Sequence, residues 1–192
     1  MTPTRARPTW SKNLLTTVPT TTEEALELFD ASEAVDPDSM LGTWRGAELP
    51  TGHPMDGLLA ASGWWGKRFE DAETVHPLLF PGPGPTSLWA FDPVKAFGAL
   101  GAVRALPMPQ GLPLVGPIAV LRPILRTRSA SARLRTTRYR GVDTATMVYD
   151  RLPIHDVFRR LSDDTVIGAM DMRGSRGPYF FVLRRDDSRR LE

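Results

Sequence analysis

Residues Leu41–Phe80 read LGTWRGAELPTGHPMDGLLAASGWWGKRFEDAETVHPLLF and hold three of the chain's five tryptophans, two of its three histidines and six of its sixteen glycines. Gly42 and Gly46 flank Trp44, a spacing that suits a strand starting under tight backbone constraint while its indole plugs the end of a barrel or sandwich. The pairs Leu49-Pro50, Thr51-Gly52 and His53-Pro54 then break the periodicity. Proline restricts the residue before it to extended geometry and is tolerated at the first position of a helix, so Pro54 opens a helix with His53 at or near its N-cap. Met55, Leu58, Leu59, Ser62, Trp65 and Phe69 recur at three- and four-residue intervals, the buried stripe of a short helix. Gly57, Gly63 and Gly66 each weaken such a helix by about 1 kcal/mol relative to Ala, so packing has to hold it, and they permit close approach by a strand or a ligand.

Upstream, residues 1–20 carry no periodicity and read as a flexible arm, while Thr21 and Glu24 have the spacing of a capping box and predict a helix over about 22–31. Downstream, Val75–Phe80 is a short apolar strand cut off by Pro81-Gly82-Pro83-Gly84-Pro85, and Ser87–Phe91 is a second with Trp89 inward. Residues 93–123 are apolar and rich in proline; they read as a long loop serving as a lid over a pocket or as a dimer contact. Beyond Pro123 strands are expected at about 132–140, 143–150, 154–161, 164–172 and 178–185, with turns at Arg140-Gly141, Asp163-Asp164 and Arg173-Gly174. Such a meander curls into a closed antiparallel barrel that removes its exposed edges. The fold class is therefore mainly β, a calycin-like (lipocalin-like) antiparallel barrel with short helices; an open antiparallel α+β sheet is the alternative.

At 192 residues the chain is long enough for a real core. It has no cysteine, no apolar run of membrane-spanning length and no apolar stretch near Met1 of the kind a signal peptide needs, which points to a cytoplasmic protein without disulfides or thiolate chemistry and with no membrane contact. Arginine supplies 21 of the 24 basic residues, seven of them between Arg122 and Arg140 with no acid among them. A nucleic-acid surface is one reading of that stripe, but its alternation suits the solvated face of a strand better.

Several motifs in order carry a family resemblance. GTWRG at 42–46, TGHPMDGLL at 51–59, the Trp-Trp-Gly-Lys-x-Phe segment and VHPLLF at 75–80 resemble the GXWXG domain. Leu134–Arg185, with YRG, MVYD, IHDVFRR, IGAMDMRG and PYFFVLRR, is similar to the domain of unknown function (DUF4334) that usually follows it. GTWRG alone also resembles the first strand of calycin-type barrels such as the haem-binding nitrobindins. The resemblance implies two halves, 21–125 and 126–190, forming one barrel domain, and it identifies no reaction.

For chemistry, the sequence contains no metal motif, phosphate loop, dinucleotide fingerprint or nucleophile elbow, and no cofactor is expected. His53 and Asp56 stand one near-turn apart, where an imidazole and a carboxylate share a proton or merely cap a helix end; with His76, whose ring nitrogens need partners if buried, they are the candidate acid–base group. Asp171 is a fourth candidate, because alternation turns it either inward with Ile167 and Ala169 or outward with Met170 and Met172 inward, and an inward carboxyl in an apolar setting is a general acid. Asp150 and Asp156 raise the same question. Arg173 is placed to bind Asp171 or a ligand carboxylate. Trp64, Trp65, Trp89, Tyr149 and Phe181 are the expected lining of an apolar pocket. The function expected is binding of a small hydrophobic molecule, with acid–base isomerisation or cyclisation as its catalytic form; the alternatives are a non-catalytic carrier of a hydrophobic ligand or of haem, with His155 as the axial candidate, and a purely structural protein or homodimer.

Overall fold

The computed structural model describes residues 18–104 and 115–192. The expected arm thus lies outside the described residues up to residue 17, as does the middle of the proline-rich segment.

Helix α1 (Thr22–Ala31) begins where the capping box predicts: the Thr21 hydroxyl accepts the Glu24 N–H at 3.2 Å, and the Glu24 carboxylate accepts the Thr21 N–H at 3.3 Å. The strands follow as β1 (Glu33–Ala34), β2 (Gly42–Glu48), β3 (Gly66–Phe69), β4 (Val75–Pro81), β5 (Ser87–Phe91), β6 (Arg126–Thr127), β7 (Ala132–Tyr139), β8 (Val142–Tyr149), β9 (Ile154–Ser162), β10 (Thr165–Met172), β11 (Tyr179–Arg185) and β12 (Arg190–Leu191). Strands β4, β3, β2, β11, β10, β9, β8 and β7 are hydrogen-bonded in that order, and Val75 pairs with Ala132 to bring β7 back to β4. The result is a closed, eight-stranded antiparallel barrel. The other half of β4 leaves the ring and pairs with β5, which β6 and β12 extend.

Alternation sorts the side chains. Ala145, Met147 and Tyr149 of β8, and Tyr179, Phe181 and Leu183 of β11, point into the barrel; Val157, Ile167, Ala169 and Phe180 point outward and are covered by Ala25 and Phe29 of α1. Trp44 is buried among the inward residues, its Nε1–H donating to the Met40 carbonyl at 2.7 Å. Burying so large a ring contributes heavily to the hydrophobic driving force, and its one polar atom is satisfied locally.

Two expectations need correction. The helix read over 55–69 is only α2 (Leu58–Ser62); it stops at Gly63, whose φ of 77° lets its N–H reach back to the Ala60 carbonyl, and Gly66–Phe69 is strand β3. Gly66 explains the switch: a Cβ there would collide with the Trp44 carbonyl, so only glycine lets β2 and β3 close on each other. The proline-rich segment, read as loop, contains two helices, α3 (Pro93–Arg104) and α4 (Val115–Leu125). Asp92 caps α3, accepting the Val94 N–H at 2.9 Å. Pro93 opens α3 and Pro117 lies in the first turn of α4, positions where a missing N–H breaks no helical bond, whereas Pro123 lies inside α4 and leaves it one hydrogen bond short near its end.

Candidate functional site

The barrel interior is not solidly packed. A cavity of about 260 Å³ lies between the inward faces of the strands and the helices α2, α3 and α4. Trp64, Leu78, Phe80, Phe91, Met170 and Phe181 form its walls, Met55, Leu58 and Leu59 one side, and Ala96, Phe97, Ile118, Leu121 and Leu125 its cover. Phe80 and Phe91 are backed by Trp89, with ring centroids 5.3 and 5.7 Å away, and Trp89 in turn lies under Arg122 of α4. The cover thus comes from the segment expected as a lid.

Against this apolar lining one charged pair stands out. Lys67 of β3 and Asp156 of β9 occupy opposite walls, four places apart in the eight-strand ring, and meet across the interior with Nζ 2.8 Å from Oδ2. Both are almost fully buried, and Lys67 Nζ also donates to the Pro77 carbonyl at 3.3 Å. The ammonium sits 5.4 Å from the Trp64 ring centroid and 5.0 Å from that of Phe181, within reach of both ring quadrupoles. Burial raises the Asp156 carboxyl above its ordinary range even though the Lys67 ammonium pulls it back. Burial also pushes the nearby Tyr149 phenol well above its usual value, and the Asp156 charge adds to that. Asp156 Oδ1 and Trp64 Nε1 are buried with no hydrogen-bond partner among the described residues, whereas buried polar atoms are as a rule paired. The cavity therefore presents a cation, an acceptor and a donor within an apolar wall, and has the capacity to hold a small molecule with an apolar body and a polar group.

A second carboxylate shapes the cavity from behind. Glu48, buried at the end of β2, accepts the N–H groups of Gly57 at 3.0 Å and Leu59 at 2.7 Å and the Tyr179 hydroxyl at 2.8 Å, which ties the start of α2 to β11.

The residues expected from the sequence separate into three groups. Trp64, Tyr149 and Phe181 line the cavity. Trp65 and Trp89 do not: Trp65 packs outside the barrel with Leu79, Leu88 and Ala90, because the adjacent residues Trp64 and Trp65 leave on opposite sides, and Trp89 is one layer behind the wall. His53, Asp56, His76, Asp171 and Arg173 also lie off the cavity. His53 caps the turn before α2, its Nδ1 accepting the Met55 N–H at 3.1 Å and its Nε2 lying 3.0 Å from Ser175 Oγ; a proton on Nε2 satisfies both contacts, since Ser175 donates its own to the Gly177 carbonyl. Asp56 accepts the N–H groups of Thr51 and Gly52 at 3.0 and 2.8 Å. His76 faces outward beside Arg68 and Glu70, and Asp171 and Arg173 are exposed, because the methionines flanking Asp171 take the inward positions. His155 is exposed too, so no histidine of this chain lines the cavity.

Lys67 is not among the residues expected from the sequence, and Asp156 is raised there only beside Asp150 and Asp171. Asp156 alternates with Ile154 and Phe158, which marks it as inward, and Lys67 is one of only three lysines in an arginine-rich chain.

Residues 27–84 match the GXWXG protein family, and residues 130–185 match DUF4334, a domain of unknown function. A crystal structure of a protein from Thermomonospora curvata is 33% identical in sequence and superposes with a TM-score of 0.62 over 88% of this chain and 89% of that one. No curated protein matches the chain.

Proposed function

The chain belongs to the proteins that join a GXWXG domain to a DUF4334 domain, and from that premise we propose that it binds a small, mostly apolar organic molecule carrying one polar group, oriented by Lys67 and Asp156. The observation that carries this reading is the buried ion pair on the wall of an otherwise apolar cavity. An ion pair in a solid core is usually no more stable than an apolar pair of the same size, so its position beside a cavity points to a role toward a ligand. The same pair suits acid–base isomerisation or cyclisation. Lys67 polarises a ligand oxygen, and Asp156, whose burial favours its protonated form, takes and returns the proton of a neighbouring carbon. The histidines play no direct part in this reading; His53 holds the turn that places Met55 and α2, and haem is not favoured because no imidazole of the chain reaches the cavity.

Titration with the neutral apolar dye 1-aminoanthracene tests the binding step. Saturable one-to-one fluorescence enhancement is expected, lost in Met170→Trp, which fills the cavity, and kept in Asp171→Asn on the outer face. Equal binding by Met170→Trp, with its melting curve still cooperative, would show that the dye and the cavity are unrelated.

A further inference from the structure

We propose that Lys67 captures carbonyl compounds: its amine condenses with the aldehyde or ketone group of an apolar molecule held in the barrel cavity. This inference rests on the reading of the cavity as a ligand site and names the class of ligand.

Three observations support it. In a chain where arginine accounts for 21 of the 24 basic residues, the cation inside the barrel is a lysine. A guanidinium would pair with Asp156 through two parallel hydrogen bonds but would never lose its proton; a primary amine forms the nucleophile that attacks a carbonyl. Second, Lys67 is 3% exposed and stands between the Trp64 and Phe181 rings on the cavity wall, the desolvated apolar setting in which proteins use lysine for Schiff-base chemistry. Third, the group that would manage the protons is already in contact: Asp156 Oδ2 lies 2.8 Å from Nζ, and its Oδ1 is buried without a partner among the described residues.

The chemistry balances without any further reagent. Asp156 takes a proton from the Lys67 ammonium, and the amine lone pair forms a C–N bond to the carbonyl carbon while the C=O π pair moves to oxygen. A proton passes from nitrogen to that oxygen, giving a neutral carbinolamine. Asp156 then returns its proton to the hydroxyl, which leaves as water while the nitrogen lone pair closes the C=N bond. The net change is ammonium plus carbonyl to iminium plus water, with no change of oxidation state. The iminium keeps the positive charge beside the Asp156 carboxylate, so the buried charges remain matched. It also withdraws electrons from the neighbouring carbon, which would make the proton shift of the proposed isomerisation easier.

The test uses the full chain, trans-cinnamaldehyde as the carbonyl probe and cinnamyl alcohol as a partner of similar shape that cannot condense. Both should displace 1-aminoanthracene. After cyanoborohydride reduction, peptide mapping should find the aldehyde fixed to Lys67 in large excess over the exposed Lys95. Lys67→Arg should lose the adduct, because a guanidinium cannot condense, and Asp156→Asn should slow adduct formation. The wild-type peptide map decides the matter even if a variant fails to fold. Displacement of the dye by the aldehyde with no excess of adduct at Lys67 overturns the carbonyl-capture inference and leaves the cavity reading standing; failure of both probes to displace a bound dye overturns the two together.

Discussion

Breaking the Lys67–Asp156 pair from one side should be far more damaging than removing it altogether. At the observed separation of 2.8 Å, two unit charges attract by about 6 kcal/mol for an effective dielectric of about 20. Bringing both ions out of water costs several kcal/mol each, so the pair as a whole contributes little net stability. Among the described residues, Asp156→Leu leaves the ammonium in the barrel with only the Pro77 carbonyl and two aromatic faces for company, and Lys67→Met leaves the carboxylate with less. Each single change should cost about 3–5 kcal/mol, a large share of the roughly 5–15 kcal/mol by which a domain is stable. The double variant Lys67→Met/Asp156→Leu should return to within about 1 kcal/mol of the parent, since it buries only apolar atoms. Urea titrations of the four proteins at neutral pH, followed by tryptophan fluorescence, complete the cycle. The raised carboxyl also sets a sign: the folded state holds the Asp156 proton more tightly than the unfolded chain, so the contribution is present at low pH and is lost as pH rises from the ordinary value of 3.8 through the folded one. The double variant should lack that slope. Single variants that each cost under about 1 kcal/mol and simply add in the double would mean the two charges are solvated and do not meet across the barrel.

Two further outcomes follow from the packing. Gly46→Ala and Gly168→Ala should each lower the urea midpoint sharply, because a Cβ at the first would enter the Trp64 ring and at the second the Phe181 ring, both on the cavity wall; unchanged midpoints would show that those rings do not lie against the strands. Burial lowers the His76 imidazole, with Glu70 pulling it up and Arg68 down, so its contribution is full above the unfolded value of 6.5 and is lost as pH falls through the folded one; His76→Asn should flatten that part of the stability curve, and an unchanged slope would contradict it.

The parts of the fold governed by local rules were readable from the sequence. The Thr21–Glu24 capping box, the alternation along 132–185 and the turns at Arg140-Gly141 and Arg173-Gly174 depend on neighbours a few residues away, and the structure has α1, β7 to β11 and those turns in place. The stretch 55–69 misled because its apolar residues match a helical stripe, while a glycine contact with a distant carbonyl makes the second part a strand. Prolines read as loop formers concealed α3 and α4 because their positions within a helix turn decide their effect. At Asp171 alternation gave two equally apolar faces, one lining the barrel and the other covered by α1, and only the fold distinguishes them. The ion pair was hidden for a similar reason: Lys67 and Asp156 lie on strands β3 and β9, far apart in sequence with three barrel strands between them, and meet only because the ring closes.

That closure also has a temporal meaning. Trp44 pairs with Arg185 and Val75 with Ala132, so the two seams of the barrel ring that join the GXWXG half to the DUF4334 half, like the short β1–β9 ladder outside them, each wait for chain made much later. Until it emerges from the ribosome, the first half holds two bare strand edges of the kind that recruit other chains. The second half covers both of those edges, and the boundary between the two sequence families runs across the ladders of one sheet.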